Sequence, residues 1–396
     1  MSTFAGVGFS RAILSADAGR DAAAAALDKL GGRRPALALV FATARYEPAP
    51  MLAAIRETLG SEICLVGCSG EGVIAGARSD ESDRAVAVMA VAADRAAFQS
   101  FAVEGYGEDP RGAGRRLASA LLEAGIDDAR GLLVFADGLV GNCGQLLQEL
   151  HAALPAVPVI GGTSGDAMEF VRTYQFAGAE VLSGGVTALL IRGDVELRLA
   201  VSHGCTPIGL PRKVTRAEAG WVYELDGRPA WSVFKEYLEG DPQDLNADGI
   251  VHLCIGEELP EEEGGYVIHT PLKLDAARGA LFFPGGGLST GQEVVLTRRD
   301  PDRIVEGATR CGALLTKDAE RPALVLQFDC AGRGRVLFGS CAADYIIRPI
   351  QERLGPETPW IGFHTYGEIA PTQPGTQPRY HNYTVALCAL YDRSGP

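Results

Sequence analysis

Apolar runs recur along this chain in a fixed order. Residues 37–45 read LALVFATAR, 132–140 read LLVFADGLV and 324–335 read LVLQFDCAGRGR. Each begins as an unbroken Leu/Val/Phe-rich run, the pattern of a strand buried on both faces. An amphipathic stretch follows each one. CGQLLQELHAALP (143–155) places apolar residues at 146, 147, 150, 153 and 154, which is helical spacing, and Pro155 stops it. APMLAAIRETLG (49–60) predicts a helix closed by Gly60. DYIIRPIQERLG (344–355) predicts one that its internal Pro kinks or starts. A second apolar phrase then appears three times: VGCSGEGVIAG (66–76), IGGTSGDAM (160–168) and IGFHTYGEIAP (361–371). Strand, helix and strand make a βαβ unit, whose crossover should be right-handed.

The spacing argues for duplication. Phe41 and Phe135 are 94 residues apart (135 − 41), and so are Gly67 and Gly161 (161 − 67). The third copy is looser, with 34 residues from Phe328 to Gly362 where the others have 26. A further strand continues each copy, at 85–91, 186–193 and 384–392, and FQSFAV and LRLAVSHG read as additional strands after the first two. A strand-then-helix lead-in is predicted over 4–30, 98–126 and 294–315. Roughly three related units follow from this. The fold class is therefore mixed α/β, with repeated strand–helix–strand units and mixed sheets. Residues 205–290 differ: alternating apolar positions and turn signals predict a small antiparallel sheet, with EELPEEEGG (257–265) as a solvated loop.

In open α/β sheets, ligands sit beyond the carboxyl ends of the strands. The repeated phrases place Thr43, Arg45, Ser69, Gly70 and Glu71 there from unit one, and Asp137, Asn142, Thr163, Ser164 and Asp166 from unit two. Unit three adds Asp329, Cys330, Arg333, His364, Thr365, Tyr366 and Glu368. If the units pack around one another, these tips converge on a cleft with donors and acceptors. Their glycines would let backbone N–H groups approach an anion, or would only make tight turns.

Composition narrows the classes. The net charge of −14 argues against a nucleic-acid or anionic-membrane surface. The N-terminus lacks signal-peptide features, and no apolar run is long enough to span a bilayer. Nine scattered cysteines without a CxxC pair predict a reduced, cytoplasmic protein with no metal site. Arg333 and Arg335 could make Cys330 reactive, though a buried, inert thiol is the plainer reading. His364 and Glu368 could ligate a metal or act as an acid/base pair only on a helix, and Gly367 argues against one. His203 precedes Gly204 at a strand end and could bind a ligand, ligate haem or bond a carbonyl. GCSG and GTSG do not fit the hydrolase nucleophile elbow, GRGRVLFG is not a P-loop, and HExxH is absent.

Taken together, VGCSGEGVIAG, VIGGTSGDAM followed by TYQF, SHGCTPIG and ELDGRPAWSVFKEYL resemble the FIST N-terminal domain. IVEGATRCG, FDCAGRGR, IGFHTYGEIAP and HNYTVALCAL resemble its C-terminal partner domain. The resemblance implies two intimately packed domains, over 30–225 and 226–392, in an intracellular sensory protein that binds a small ligand such as an amino acid. It also implies a separate signalling partner, such as a kinase or cyclase, because no output segment follows Pro396. The expected ligand site comprises Ser69, Gly70, Glu71, Thr163, Ser164, Asp166, Cys330, Arg333, His364, Tyr366 and Glu368. There, Arg333 would pair with a ligand carboxylate and Asp166 or Glu368 with an ammonium group. No cofactor is expected. The alternative is a haem-binding nitric oxide sensor with a ligand from His203, His364 or His381. A less favoured third reading is an enzyme with Cys330 or Ser69 as nucleophile, which the lack of Lys in the repeated loops weakens.

Overall fold

Three sheets of the molecule are assembled from the same parts in the same order. The computed structural model describes residues 2–238, 240, 242–245, 252–259, 265–316 and 320–393. Unit one contains β1 (Phe4–Ser10), α1 (Ser15–Asp28), β2 (Leu37–Thr43), α2 (Pro48–Leu59), β3 (Cys64–Gly70), the hairpin β4 (Gly72–Ala75) and β5 (Arg78–Asp80), and β6 (Val86–Ala92). Unit two repeats this as β7 (Ala96–Val103), α3 (Pro110–Ala124), β8 (Ala129–Ala136), α4 (Cys143–Ala153), β9 (Val159–Thr163), β10 (Gln175–Ala177), β11 (Glu180–Leu182) and β12 (Val186–Gly193).

Unit three opens with β13 (Val195–Ser202) and is then interrupted by a second sheet. That sheet holds β14 (Cys205–Pro207), β15 (Arg212–Glu218), β16 (Trp221–Leu225), β17 (Arg228–Pro229), β18 (Leu253–Glu258), β19 (Tyr266–His269), β20 (Lys273–Asp275), β21 (Ala280–Phe282) and β22 (Glu293–Arg299), with the short helix α5 (Ala230–Lys235). The unit resumes with α6 (Pro301–Leu315), β23 (Leu324–Cys330), α7 (Arg335–Phe338), α8 (Ala342–Ile346), α9 (Arg348–Leu354), β24 (Trp360–Thr365), β25 (Gly367–Pro371), β26 (Pro378–His381) and β27 (Val385–Asp392).

Every unit sheet runs leading strand, returning strand, central strand, third strand: β1-β6-β2-β3, β7-β12-β8-β9 and β13-β27-β23-β24. The central and third strands are parallel, as a helical crossover requires, and the other pairs are antiparallel. Each sheet is completed by a hairpin from another unit. β10–β11 add to β3, β25–β26 add to β9, and β4–β5 add to β24. The exchange closes a ring of three.

The unbroken apolar runs now have a cause. Leu39, Phe41, Leu133, Phe135, Leu326 and Phe328 face the centre, while Ala38, Val40, Leu132, Val134 and Val325 face the outer helices. Phe41, Phe135 and Phe328 meet there, with ring centroids 5.5, 5.8 and 6.3 Å apart, and Phe363 stacks on Phe41 at 4.7 Å. The repeated glycines have a separate cause. A Cβ on Gly67, Gly161 or Gly362 would lie 1.8–2.0 Å from the carbonyl of Val40, Val134 or Gln327, its register partner on the parallel strand. Parallel strands approach that closely only where the side chain is absent.

The expected lead-in of unit three is corrected. The strand at 294–299 does not lead unit three; it is β22, in the inserted sheet, and β13 takes the leading place beside β27. The stretch 344–355 is divided at Ile347 between α8 and α9, and Pro349, in the first turn of α9, starts that helix as expected. Glu257 and Glu258 of the expected acidic loop end β18, and residues 260–264 lie outside the described residues. Among the described residues, no helix is long and apolar enough to cross a membrane.

Candidate functional site

The three tips meet in a cycle of backbone hydrogen bonds. Gly165 N–H donates to the Ser69 carbonyl at 3.1 Å, Tyr366 N–H to Thr163 at 3.1 Å, and Glu71 N–H to His364 at 2.9 Å. Each bond joins equivalent positions of two units. Ser69 Oγ donates to the Gly165 carbonyl and accepts from Tyr174 N–H. Ser164 donates to Ala136 and sits in a buried network with Thr173, Gln175 and Asp137. Gly70 is packed against Phe363 and leaves no room for a side chain.

Tyr366 ties the tips together. Its hydroxyl lies 2.7 Å from Asp166 Oδ1 and 3.3 Å from Glu71 Oε2, and it accepts Met168 N–H at 2.8 Å. Asp166 also accepts the N–H groups of Phe170, Val171 and Arg172, while Glu71 accepts Met168 N–H at 2.7 Å. These bonds hold Ala167, Met168 and Phe170 at φ of 62, 55 and 53°, which non-glycine residues avoid and which usually marks a functional or over-determined segment. Burial pushes the Glu71 carboxyl up to about 7 and the Tyr366 hydroxyl above its ordinary value. The cavity beside this knot, lined by Asp137, Thr163, Phe170 and Tyr380, holds about 90 Å³, room for a few waters.

The remaining expected residues belong to unit three, where it meets unit one (His364), unit two (Glu368) and the inserted sheet (Cys330). Arg333 is fully buried and donates from Nε to Asp329 at 2.9 Å and from Nη1 to the carbonyls of Ser202 and His203. Its Nη2 has no partner. His364 Nε2 lies 2.8 Å from Ser79 Oγ and 3.6 Å from Glu81 Oε1, and burial lowers its pKa to about 4. Glu368 bonds Thr365 and Thr384 N–H, and burial raises its carboxyl well above the ordinary range. Burial likewise raises the Cys330 thiol. His364 and Glu368 stand on successive strands, β24 and β25, and do not share a helix face. The structure thus brings the residues into one interior region, where their polar groups are largely spent on one another.

Larger open space lies elsewhere. A groove of about 1280 Å³ runs along the edge strand β13, bordered by α6, the turn at 371–376 and residues 155–158 of unit two. Its lining includes His203, Cys205, Tyr266, Arg303, Glu306 and Arg310. The sequence pattern does not single out Cys205 or Glu81; SHGCTP carries the only local sign, a His two residues before a Cys.

The three candidate haem ligands do not fit that role. His364 and His381 are fully buried, and the Nε2 of each is engaged, by Ser79 and by the Ala370 carbonyl. His203 borders the groove, but its Nδ1 accepts Cys205 N–H at 2.9 Å, which leaves the proton of the neutral ring on Nε2, the nitrogen a metal would need. No cluster of metal-ligating side chains occurs among the described residues.

The FIST N domain matches residues 36–228 and the FIST C domain residues 230–371. An uncharacterised protein of Mycobacterium tuberculosis H37Rv is 28% identical across 98% of this chain and 99% of its own length. An uncharacterised protein of Methanocaldococcus jannaschii is 29% identical over 44% of this chain and 35% of its own. Among solved structures, a chorismatase covers 98% of this chain and 99% of its own at 9% identity and a TM-score of 0.38. A cyanuric acid hydrolase covers both chains fully at 10% identity and a TM-score of 0.37. At that similarity the chemistry of neither enzyme transfers.

Proposed function

The chain belongs to the FIST family of sensory, signal-transduction domains, and on that premise we propose that it binds a small zwitterionic metabolite, such as an amino acid, in the groove beside β13. The groove itself carries this reading: about 1280 Å³ is ample for a metabolite, and the 90 Å³ beside the tips is not. Arg303, Glu306 and Arg310 recur along one face of α6, so the wall offers charges of both signs to a ligand that has both.

A route inward supports a sensory role. Ser202 and His203, at the end of the groove-lining strand, hold Arg333 through their carbonyls. Arg333 holds Asp329, which pairs in register with His364, whose carbonyl belongs to the cycle joining the tips. A ligand that shifts residues 202–203 therefore bears on the junction of all three units. The output passes to a separate signalling protein.

Calorimetry and thermal shift against the common amino acids test this. A ligand at 100 times its Kd raises stability by about 2.7 kcal/mol. Arg310→Ala and Glu306→Ala, both on the exposed side of α6, are expected to abolish that shift without unfolding the protein. A hit that survives both substitutions, or a screen with none, refutes the assignment.

A further inference from the structure

The inserted sheet buries a cation without a carboxylate. Arg299 is 3% exposed, and its Nη1 donates to the Gly332 carbonyl. Its Nε and Nη2 are buried without hydrogen-bond partners, and no carboxylate pairs with it among the described residues. Tyr383 lies beneath it, 4.2 Å from guanidinium carbon to ring centroid. A buried charge left this way is costly unless an anion is close. Directly opposite Arg299 in the β14–β22 register stands Cys205. Side chains of directly opposed residues share one face of a sheet and meet.

We propose that Cys205 is a reactive thiolate, the counter-ion of Arg299, and that it opens onto the groove as a site of oxidation by hydroperoxides. Cys205 lines the groove, so a small peroxide reaches it from solvent. The groups facing the sulfur are Cys254, His203 and Arg299, while His252 lies near Arg299 from the other side. The Cys254 thiol donates to Cys205 and, with help from His203 and Arg299, lowers its pKa to about 6 against the opposing effect of burial. This is the reverse of Cys330, whose thiol burial pushes well up.

The step balances without a further reagent. The thiolate attacks one peroxide oxygen, an S–O bond forms and the O–O bond breaks. Sulfur loses two electrons, the peroxide is reduced to an alcohol (or water), and the peroxide's own proton ends on the leaving oxygen. The product is a sulfenate, whose oxygen the unpartnered Nε and Nη2 of Arg299 are placed to receive. Cys254, whose thiol is within hydrogen-bond reach of Cys205, is the group placed to condense with that sulfenate. The two stand on β14 and β18, which flank β22 on opposite sides, so drawing them into an S–S bridge requires those strands to move. Until they move, the oxidised state is a sulfenate. This inference stands whether or not the groove also binds a metabolite.

The test is labelling of the intact protein, with exposed Cys341 as the internal comparison. Stoichiometric hydrogen peroxide with dimedone present throughout, so that the sulfenate is trapped as it forms, is expected to give one adduct, mapped to Cys205. At pH 6 half of a thiol with pKa 6 is ionised, against about 0.3% of one with pKa 8.5. After the lower intrinsic nucleophilicity of the more acidic thiol, Cys205 should alkylate with iodoacetamide about tenfold faster than an ordinary exposed thiol. The rate should follow a midpoint near 6, and Arg299→Gln should raise that midpoint. Dimedone on Cys341 with Cys205 unlabelled, or a Cys205 midpoint of 8 or above in the wild type, overturns the proposal without recourse to any variant.

Discussion

Replacing Glu81 with Gln should stabilise this protein at neutral and alkaline pH but not in acid. The Glu81 side chain is 7% exposed in the seam of units one and three, where it accepts Arg335 N–H at 2.7 Å. Burial outweighs that bond and the Arg335 charge, and raises the carboxyl from 4.5 to about 7. The folded protein therefore holds this proton more tightly than the unfolded chain. The resulting stability is complete below pH 4.5 and is lost as pH rises through 7. Above pH 7 the fold carries a buried carboxylate at a cost of about 3 kcal/mol, since each tenfold change in proton affinity is worth about 1.4 kcal/mol. Gln keeps the volume and an oxygen for Arg335 N–H but never ionises. Urea unfolding at pH 4, below the unfolded carboxyl's pKa, should give nearly equal midpoints for wild type and Glu81→Gln. At pH 8.5 the variant should gain up to about 3 kcal/mol. Equal differences at the two pH values, or a variant less stable at pH 8.5, would refute the reasoning.

Gly67→Ala, Gly161→Ala and Gly362→Ala should each cost about 3 kcal/mol or more, since the new methyl meets a strand carbonyl rather than a flexible side chain; thermal unfolding checks all three. Asp329→Asn should cost about 3–5 kcal/mol by leaving Arg333 without its carboxylate in the interior, which urea unfolding would read directly. Tyr366→Phe should remove the hydroxyl shared by Asp166 and Met168 N–H, costing about 1–3 kcal/mol. Faster amide exchange confined to residues 166–172 is the expected signature, and unchanged exchange there would show that the strained loop does not depend on Tyr366.

The repeat was legible because each unit writes its inner and outer strand faces into one apolar run and marks the close strand approach with glycine. Partner exchange was not. The β4–β5 hairpin reads as local in sequence, yet its sheet partner, β24, lies almost 300 residues onward. The lead-in of unit three was misplaced for a related reason. The insertion puts β22 directly before α6, and an apolar run followed by Asp-Pro looks the same whichever sheet the strand joins. Convergence of the tips could be read from Gly and acidic residues repeating at strand ends. That Tyr366, Asp166 and Glu71 would satisfy one another could not, because the three come from different units. Cys205 and Arg299 are likewise 94 residues apart (299 − 205), and only the register of β14 with β22 makes them neighbours.

The cyclic loan of hairpins bears on how a ribosome must deliver this molecule. While the chain is emerging, the first unit has already surrendered β4–β5 to a strand not yet synthesised, and β3 waits for β10–β11. Cutting between the two FIST domains, near residue 229, would yield halves with bare sheet margins rather than autonomous pieces. Co-expressed, the halves should find each other; alone, each should go to aggregates.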